Sequence, residues 1–127
     1  MAYVIKVKHF MDFVEGDDGT RIWVEPIGLT RDLQALCAIW LVLPHLGPPR
    51  ELWDWFERQP IGYEFFRGRY HEHLAHSGMR PALQQLANMS AHENFTLLHQ
   101  GVDAERNTAT ALYEFIRELT AYSPPEL

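Results

Sequence analysis

Five prolines in the middle of the chain constrain its fold more than any other feature. Pro44, Pro48, Pro49, Pro60 and Pro81 lack a backbone N–H and clash with the preceding turn of a helix interior, so no long helix can run through this region. The apolar residues between them recur at three- and four-residue spacing, which predicts a series of short amphipathic helices. The first is expected from Thr30, a suitable N-cap, to about Leu43, with Leu33, Leu36, Cys37, Trp40 and Leu41 on one face. The second runs from Arg50 to Arg58 with Leu52, Trp53 and Phe56 as its stripe. A third follows Pro60, which suits a first helical turn, and carries Tyr63, Phe66, Tyr70 and Leu74 before stopping near Gly78. Pro81 to Met89 gives the fourth, through Leu83 and Leu86.

Strand patterns flank this block. Tyr3 to Lys8 alternates Tyr3, Ile5 and Val7 with Lys6 and Lys8, and Arg21-Ile22-Trp23-Val24 is a second strand that Pro26 ends. Glu15-Gly16-Asp17-Asp18-Gly19 between them is turn chemistry. Phe95-Thr96-Leu97-Leu98, apolar and bounded by polar residues, reads as a strand covered on both faces. A fifth helix follows Gly101 and Asp103, with Ala109, Leu112, Tyr113, Ile116 and Leu119 on one face, and Ser123 to Leu127 reads as a frayed tail. The order favours a small three-layer α/β domain spanning residues 1–127, with about three strands in a mostly parallel sheet and about five helices. Residues 9 to 20 hold no helix, so an antiparallel hairpin of the first two strands stays open.

Composition narrows the function classes. Seventeen acidic against eleven basic residues leave a net charge of −6, which argues for solubility and against nucleic acid as the partner. The longest apolar run, Ala35 to Leu43, has nine residues against about 20 for a membrane span. The start, Met1 to Lys6, lacks the apolar stretch of a secretory signal, so the cytoplasm is expected. Cys37 is the lone cysteine and reads as a buried, inert thiol.

The residues Trp40-Leu41…Pro44…Glu51-Leu52…Trp55-Phe56…Pro60…Tyr63-Glu64…Phe66-Arg67-Gly68-Arg69-Tyr70…Leu74 resemble the central signature of the YeaO-like domain-of-unknown-function family (DUF488-like). Thr96-Leu97-Leu98…Asp103…Asn107…Ala109…Leu112 is similar to its closing motif, and Asp18-Gly19 stands before the second strand as in that family. The resemblance implies a fold more than an activity, and it makes this chain a divergent member. Relatives follow the second strand with an acid, an arginine and a Leu-Trp-Pro-Arg-Gly-like turn. Here Glu25 keeps the acid, but Pro26 and Ile27 follow and the paired basic residues are gone. Distant relatives carry cysteines near the third strand, where this chain has His99 and Asn107.

In parallel sheets ligands collect beyond the carboxyl ends of the strands. Here that rule selects Glu25, Gly28 and Thr30 after the second strand, and His99, Gln100, Asp103, Arg106 and Asn107 after the third. A carboxylate, an imidazole and a guanidinium in one cleft suit proton transfer or capture of an anion, and the first turn of the last helix, taken as Asp103 to Asn107, would add free backbone donors. The plain alternative is that Asp103 caps the helix, Glu25 pairs with a surface arginine and His99 bonds to backbone. His71-Glu72-His73…His76 suggests a metal, yet only His73 and His76 share a helix face, and neither a metal nor a cofactor is expected. The apolar circumference of Leu33 to Leu43 points to full burial or to a homodimer contact. Two functions are therefore expected to compete: a small-molecule or anion-binding domain with its site at the ends of the second and third strands, and a catalytically inactive association module.

Overall fold

The computed structural model describes residues 3–121; the predicted tail from Ser123 lies outside them. The first strand pattern becomes β1 (Ile5–His9), the second becomes β2 (Thr20–Trp23), and the apolar Phe95 segment becomes β4 (Phe95–His99). A fourth, two-residue strand, β3 (Leu41–Val42), completes a sheet of order β1-β4-β2-β3 in which every pair is parallel. β4 pairs Leu97 with Val7 on one side and with Ile22 on the other, and all five of its residues are buried. A strand flanked by neighbours and covered on both faces cannot present a polar side to water, which is why Phe95, Leu97 and Leu98 are apolar and Thr96 donates its hydroxyl to the Asp18 carbonyl. β1 and β2 are parallel and separated by β4, so the hairpin alternative falls.

Alternation along the strands divides the core in two. Ile22, Val24, Phe95 and Leu97 face the main cluster, built with α2 (Arg50–Arg58), α3 (Tyr63–His76), α4 (Arg80–Met89) and α5 (Thr108–Ala121). Tyr63, Phe66, Tyr70 and Leu74 on α3 are all buried in it, and the Phe56 and Phe66 rings stack at 4.2 Å. Trp23 and Leu98 face the other way, against Cys37, Ile39 and Phe10. This second covering layer is thin, made of loops and the six-residue α1 (Arg31–Leu36).

The expected helix from Thr30 to Leu43 is thus corrected. Its start is as predicted, with Thr30 Oγ1 accepting the Leu33 N–H at 3.2 Å. It stops at Cys37, Ala38 turns into the left-handed region at φ 53°, and the chain extends. The open edge of β2 is the competitor that wins: Trp40 N–H donates to the Arg21 carbonyl and Leu43 N–H to the Trp23 carbonyl. The residues Ile39-Trp40-Leu41-Val42 are β-branched, aromatic or bulky and suit an edge strand as readily as a helix. Cys37 itself is buried, but the all-round apolar helix proposed as a dimer contact does not exist.

A charged cluster that alternation did not disclose lies on the loop-covered side of the sheet. Asp18 and Arg21 are both about 1% exposed and pair at 2.9 Å. Lys6 and Lys8 reach the same carboxylate at 3.0 Å. Arg21 also donates to the carbonyls of Cys37, Phe10 and Asp12, which ties the segment after β1 down onto the sheet. Burial pushes the Asp18 carboxyl up, but the hydrogen bonds from Lys8, Lys6, the Glu15 backbone and Arg21 outweigh it and hold it well below the usual range.

Candidate functional site

Because all four strands are parallel, their carboxyl ends share one edge. The side chains there are His9 from β1, His99 from β4 and Glu25 just past β2. The chain leaving β1 turns tightly: Asp12 N–H donates to the His9 carbonyl, His9 N–H to Asp12 Oδ2, and Phe10 N–H to the His99 carbonyl. The chain leaving β4 passes Gly101 and Val102 into a turn in which Asp103 Oδ1 accepts the N–H groups of Glu105 and Arg106 at 2.8 and 3.0 Å. Between these two departures lies a cavity of about 320 Å³, lined by Val7, Lys8, His9, Asp12, His99, Gly101, Val102 and Ala104.

His99 is its buried wall. The residue is 2% exposed, its ring stands edge-on to that of His9 with centroids 5.6 Å apart, and Nδ1 has no hydrogen-bond partner among the described residues. Burial pushes the imidazole down to about 4, the His9 ring adds to this, and Asp12, Gly101 and Asp103 only partly oppose it. At neutral pH His99 is therefore uncharged. His9 Nδ1 accepts the Met11 N–H at 3.2 Å, which leaves the proton on Nε2 and makes that nitrogen a donor. Asp12 Oδ2 is engaged by the His9 backbone, leaving Oδ1 as an acceptor. Lys8 is at the rim, but its three donors are engaged by the Phe13 carbonyl, Glu15 and Asp18.

The residues selected from sequence are dispersed. His99 alone lines the cavity. Glu25 is sealed in the core, accepting from Trp53 Nε1 at 3.1 Å and from the Gln100 backbone at 3.0 Å, with Thr108 as a further donor. Burial raises its pKa against the pull of those bonds. It thus links β2, α2 and the approach to α5 rather than pairing with a surface arginine. Gln100 enters that network by its backbone, while Thr30 caps α1 and Gly28 is exposed. Asn107, not Asp103, begins the last helix: its Oδ1 accepts the Thr110 N–H at 2.8 Å, and its Nδ2 donates to the Asp103 carbonyl. Residues 103–106 form a separate exposed turn, so the expected anion-binding first turn is displaced to Thr108, which is buried. Arg106 leans on Asp103 at 3.7 Å in solvent.

On the histidine helix, His71 Nε2 lies 2.7 Å from the Ala111 carbonyl, while His73 and His76 border a shallow depression with Leu52 and Phe65. Among the described residues no three His, Cys, Asp or Glu side chains are set to hold a metal ion, and no helix is long and apolar enough to cross a membrane.

The residues missed were His9, Asp12 and Lys8. The strand-end rule would have reached His9 had β1 been known to lie beside β4, but pairing order carries no local signal.

The family described as domain of unknown function DUF488 matches this chain over residues 6–116. Uncharacterised proteins of Mycobacterium bovis and Mycobacterium tuberculosis are 30% identical to it over 89 residues, which is 68% of this chain and 73% of theirs. No solved structure matches it.

Proposed function

We propose that this chain, which belongs to the family of the domain of unknown function DUF488, is a cytoplasmic binding domain for a small, uncharged polar molecule held between the ends of β1 and β4. The observation that carries this reading is the cavity walled by His99, whose lining also includes His9 and Asp12, polar residues with a donor and an acceptor not engaged by their neighbouring backbone. A volume of about 320 Å³ stands at the small end of ligand sites, about 300–1,000 Å³. Charge argues for a neutral occupant. His99 is uncharged, Lys8 has its donors engaged, and Asp12 and the nearby Asp103 would repel an anion. The anion-binding version of the expectation therefore loses its support, while the small-molecule version moves from the ends of β2 and β4 to those of β1 and β4.

A second reading, association with another copy, is favoured by one observation. Leu36 and Trp40 are 76% and 78% exposed beside the open edge of β3, and Leu41 joins them. This patch replaces the all-round helix as the candidate contact.

A thermal-shift screen of nucleobases, small amides and small acids separates the readings. A true ligand at a hundred times its dissociation constant should stabilise the wild type by about 2.7 kcal/mol, and His99→Ala should abolish that gain. A hit that stabilises His99→Ala equally places the site elsewhere. No response to any compound, with a sedimentation mass that halves on Trp40→Glu, would put association in its place.

A further inference from the structure

Glu25 lies behind the cavity rather than in it, and its bonds reach the cavity's inner wall. Its two oxygens are divided between donors from different elements. Oε1 accepts the Trp53 Nε1–H of α2 at 3.1 Å and Oε2 the Gln100 N–H at 3.0 Å, with Thr108 at the start of α5 as a third donor. Gln100 stands between His99 and Gly101, and both of these line the cavity. The peptide unit that joins His99 to Gln100 is therefore held from both sides, its carbonyl by the Phe10 N–H at 2.9 Å and its N–H by Glu25. β1 pairs with β4 as far as His99, but β2 pairs only as far as Leu98. The Glu25 carboxylate takes the place of the ladder acceptor that β2 no longer supplies.

A carboxylate suits this place better than any other side chain of its size. An indole N–H and a backbone N–H can only donate, so each needs an oxygen. Glutamine would turn its NH2 group toward one of them, and an apolar side chain would strand both. The acid stands here although enclosure disfavours its charge. Beyond Gln100 the chain is closely packed. A methyl group on Gly101 would lie 3.8 Å from His99 Nδ1 and 3.5 Å from Asn107 Cβ, and Asn107 Nδ2 closes the loop onto the Asp103 carbonyl. A shift at Gln100 is thus passed to the His99 ring. We infer that Glu25 is a positioning residue for the cavity: by fixing the His99–Gln100 peptide from outside, it keeps the His99 ring in the wall. The use of the cavity rests on the binding reading above, but the wall is tested without a ligand, so the two can fail separately.

Amide hydrogen exchange and imidazole nitrogen NMR on the wild type, Glu25→Met and Leu83→Ala test it, Leu83 being a fully buried core residue of α4. In the wild type the Gln100 amide should exchange at least about tenfold more slowly than that of exposed Val102, the smaller effect of one hydrogen bond to a charged group. In Glu25→Met that difference should vanish while the mid-strand Leu97 amide stays protected, and the His99 titration should rise from about 4 towards the free value of about 6.5. Loss of a nearby negative charge would by itself lower an imidazole pKa, so a rise reports an opened wall. Leu83→Ala, which damages the core but not this contact, should leave His99 at about 4. A Gln100 amide as fast as Val102 in the wild type, or still protected in Glu25→Met, overturns the proposal. So does a His99 that stays put in Glu25→Met or rises equally in Leu83→Ala. Should Glu25→Met not fold, the isosteric Glu25→Gln decides: His99 should rise if the Gln100 amide loses its protection and hold if it does not, and a His99 that moves independently of that amide overturns the proposal.

Discussion

Replacing Asp18 with alanine is expected to destabilise the fold by about 3–5 kcal/mol. The carboxylate receives Arg21 at 2.9 Å, Lys6 and Lys8 at 3.0 Å and the Glu15 N–H at 3.2 Å, and it is fully enclosed. Without it the Arg21 guanidinium remains buried with carbonyl partners but no counter-charge, and an uncompensated buried cation costs far more than a lost surface pair. The diagnostic comparison is the double variant Asp18→Ala, Arg21→Met. Removing the stranded cation should recover part of the loss in urea unfolding, because the desolvation penalty disappears with it. A single-variant loss below about 1 kcal/mol, the level of an exposed pair, would mean that Arg21 reaches solvent. The sign of the pH effect follows from the depressed carboxyl: its stabilisation is present above the unfolded value near 4 and is lost as pH falls through the folded one. The same change should loosen the cavity, since Arg21 holds the Phe10 and Asp12 carbonyls.

Leu97→Ala should cost about 2–5 kcal/mol. Leu97 is fully buried at the middle of the central strand, between Val7 and Ile22, and belongs to the cluster that joins the sheet to α2–α5. Neighbours on both sides prevent the backbone from collapsing into the space left by the lost atoms, which places the expected cost well within that range. Leu36→Ala is the matched control: that side chain is mostly exposed and should change stability by no more than about 0.5 kcal/mol. Denaturant midpoints for the two variants, measured at equal slope, decide the matter. Similar small losses would show that β4 is not the centre of the sheet.

The two substitutions also mark what the sequence makes legible. Leu97 was readable because an unbroken apolar segment between polar residues has few places to go. The bounds of α2 and the buried stripe of α3 were readable because prolines delimit them and helical spacing is local. Asp18 and Arg21 were not. Lys6 and Lys8 alternate as a polar face should, and nothing local says that this face is closed by a loop whose acid sits 12 and 10 residues away from them. The Leu33–Leu43 region misled for a related reason. An apolar run satisfies helix and buried strand alike, and the deciding term was the open edge of β2. The site shows the same limit. His99 was found from its strand end, but its companions His9 and Asp12 come from the end of β1 and the turn that follows it, 90 and 87 residues earlier in the chain, and become neighbours only through the β1–β4 pairing. Glu25, selected as a ligand residue at the end of the second strand, serves as a buried acceptor for Trp53 and the Gln100 backbone, groups that no spacing links to it.

The central claim is that His99 is a buried, uncharged wall of a ligand cavity, and imidazole nitrogen NMR tests it most directly. Titrating the protein from pH 8 downward should show His99 holding its neutral signature until about pH 4, far below a free histidine near 6.5. Stability should fall between those two values as the unfolded chain takes up the proton first, by about 2 kcal/mol once discounted for the open side of the cavity. At pH 7, adding a compound that stabilises the wild type in the thermal-shift screen should then shift the His99 and His9 ring signals together and leave His73 and His76 unmoved. A His99 ring that titrates near 6.5, with signals indifferent to every compound that binds the protein, would contradict the account.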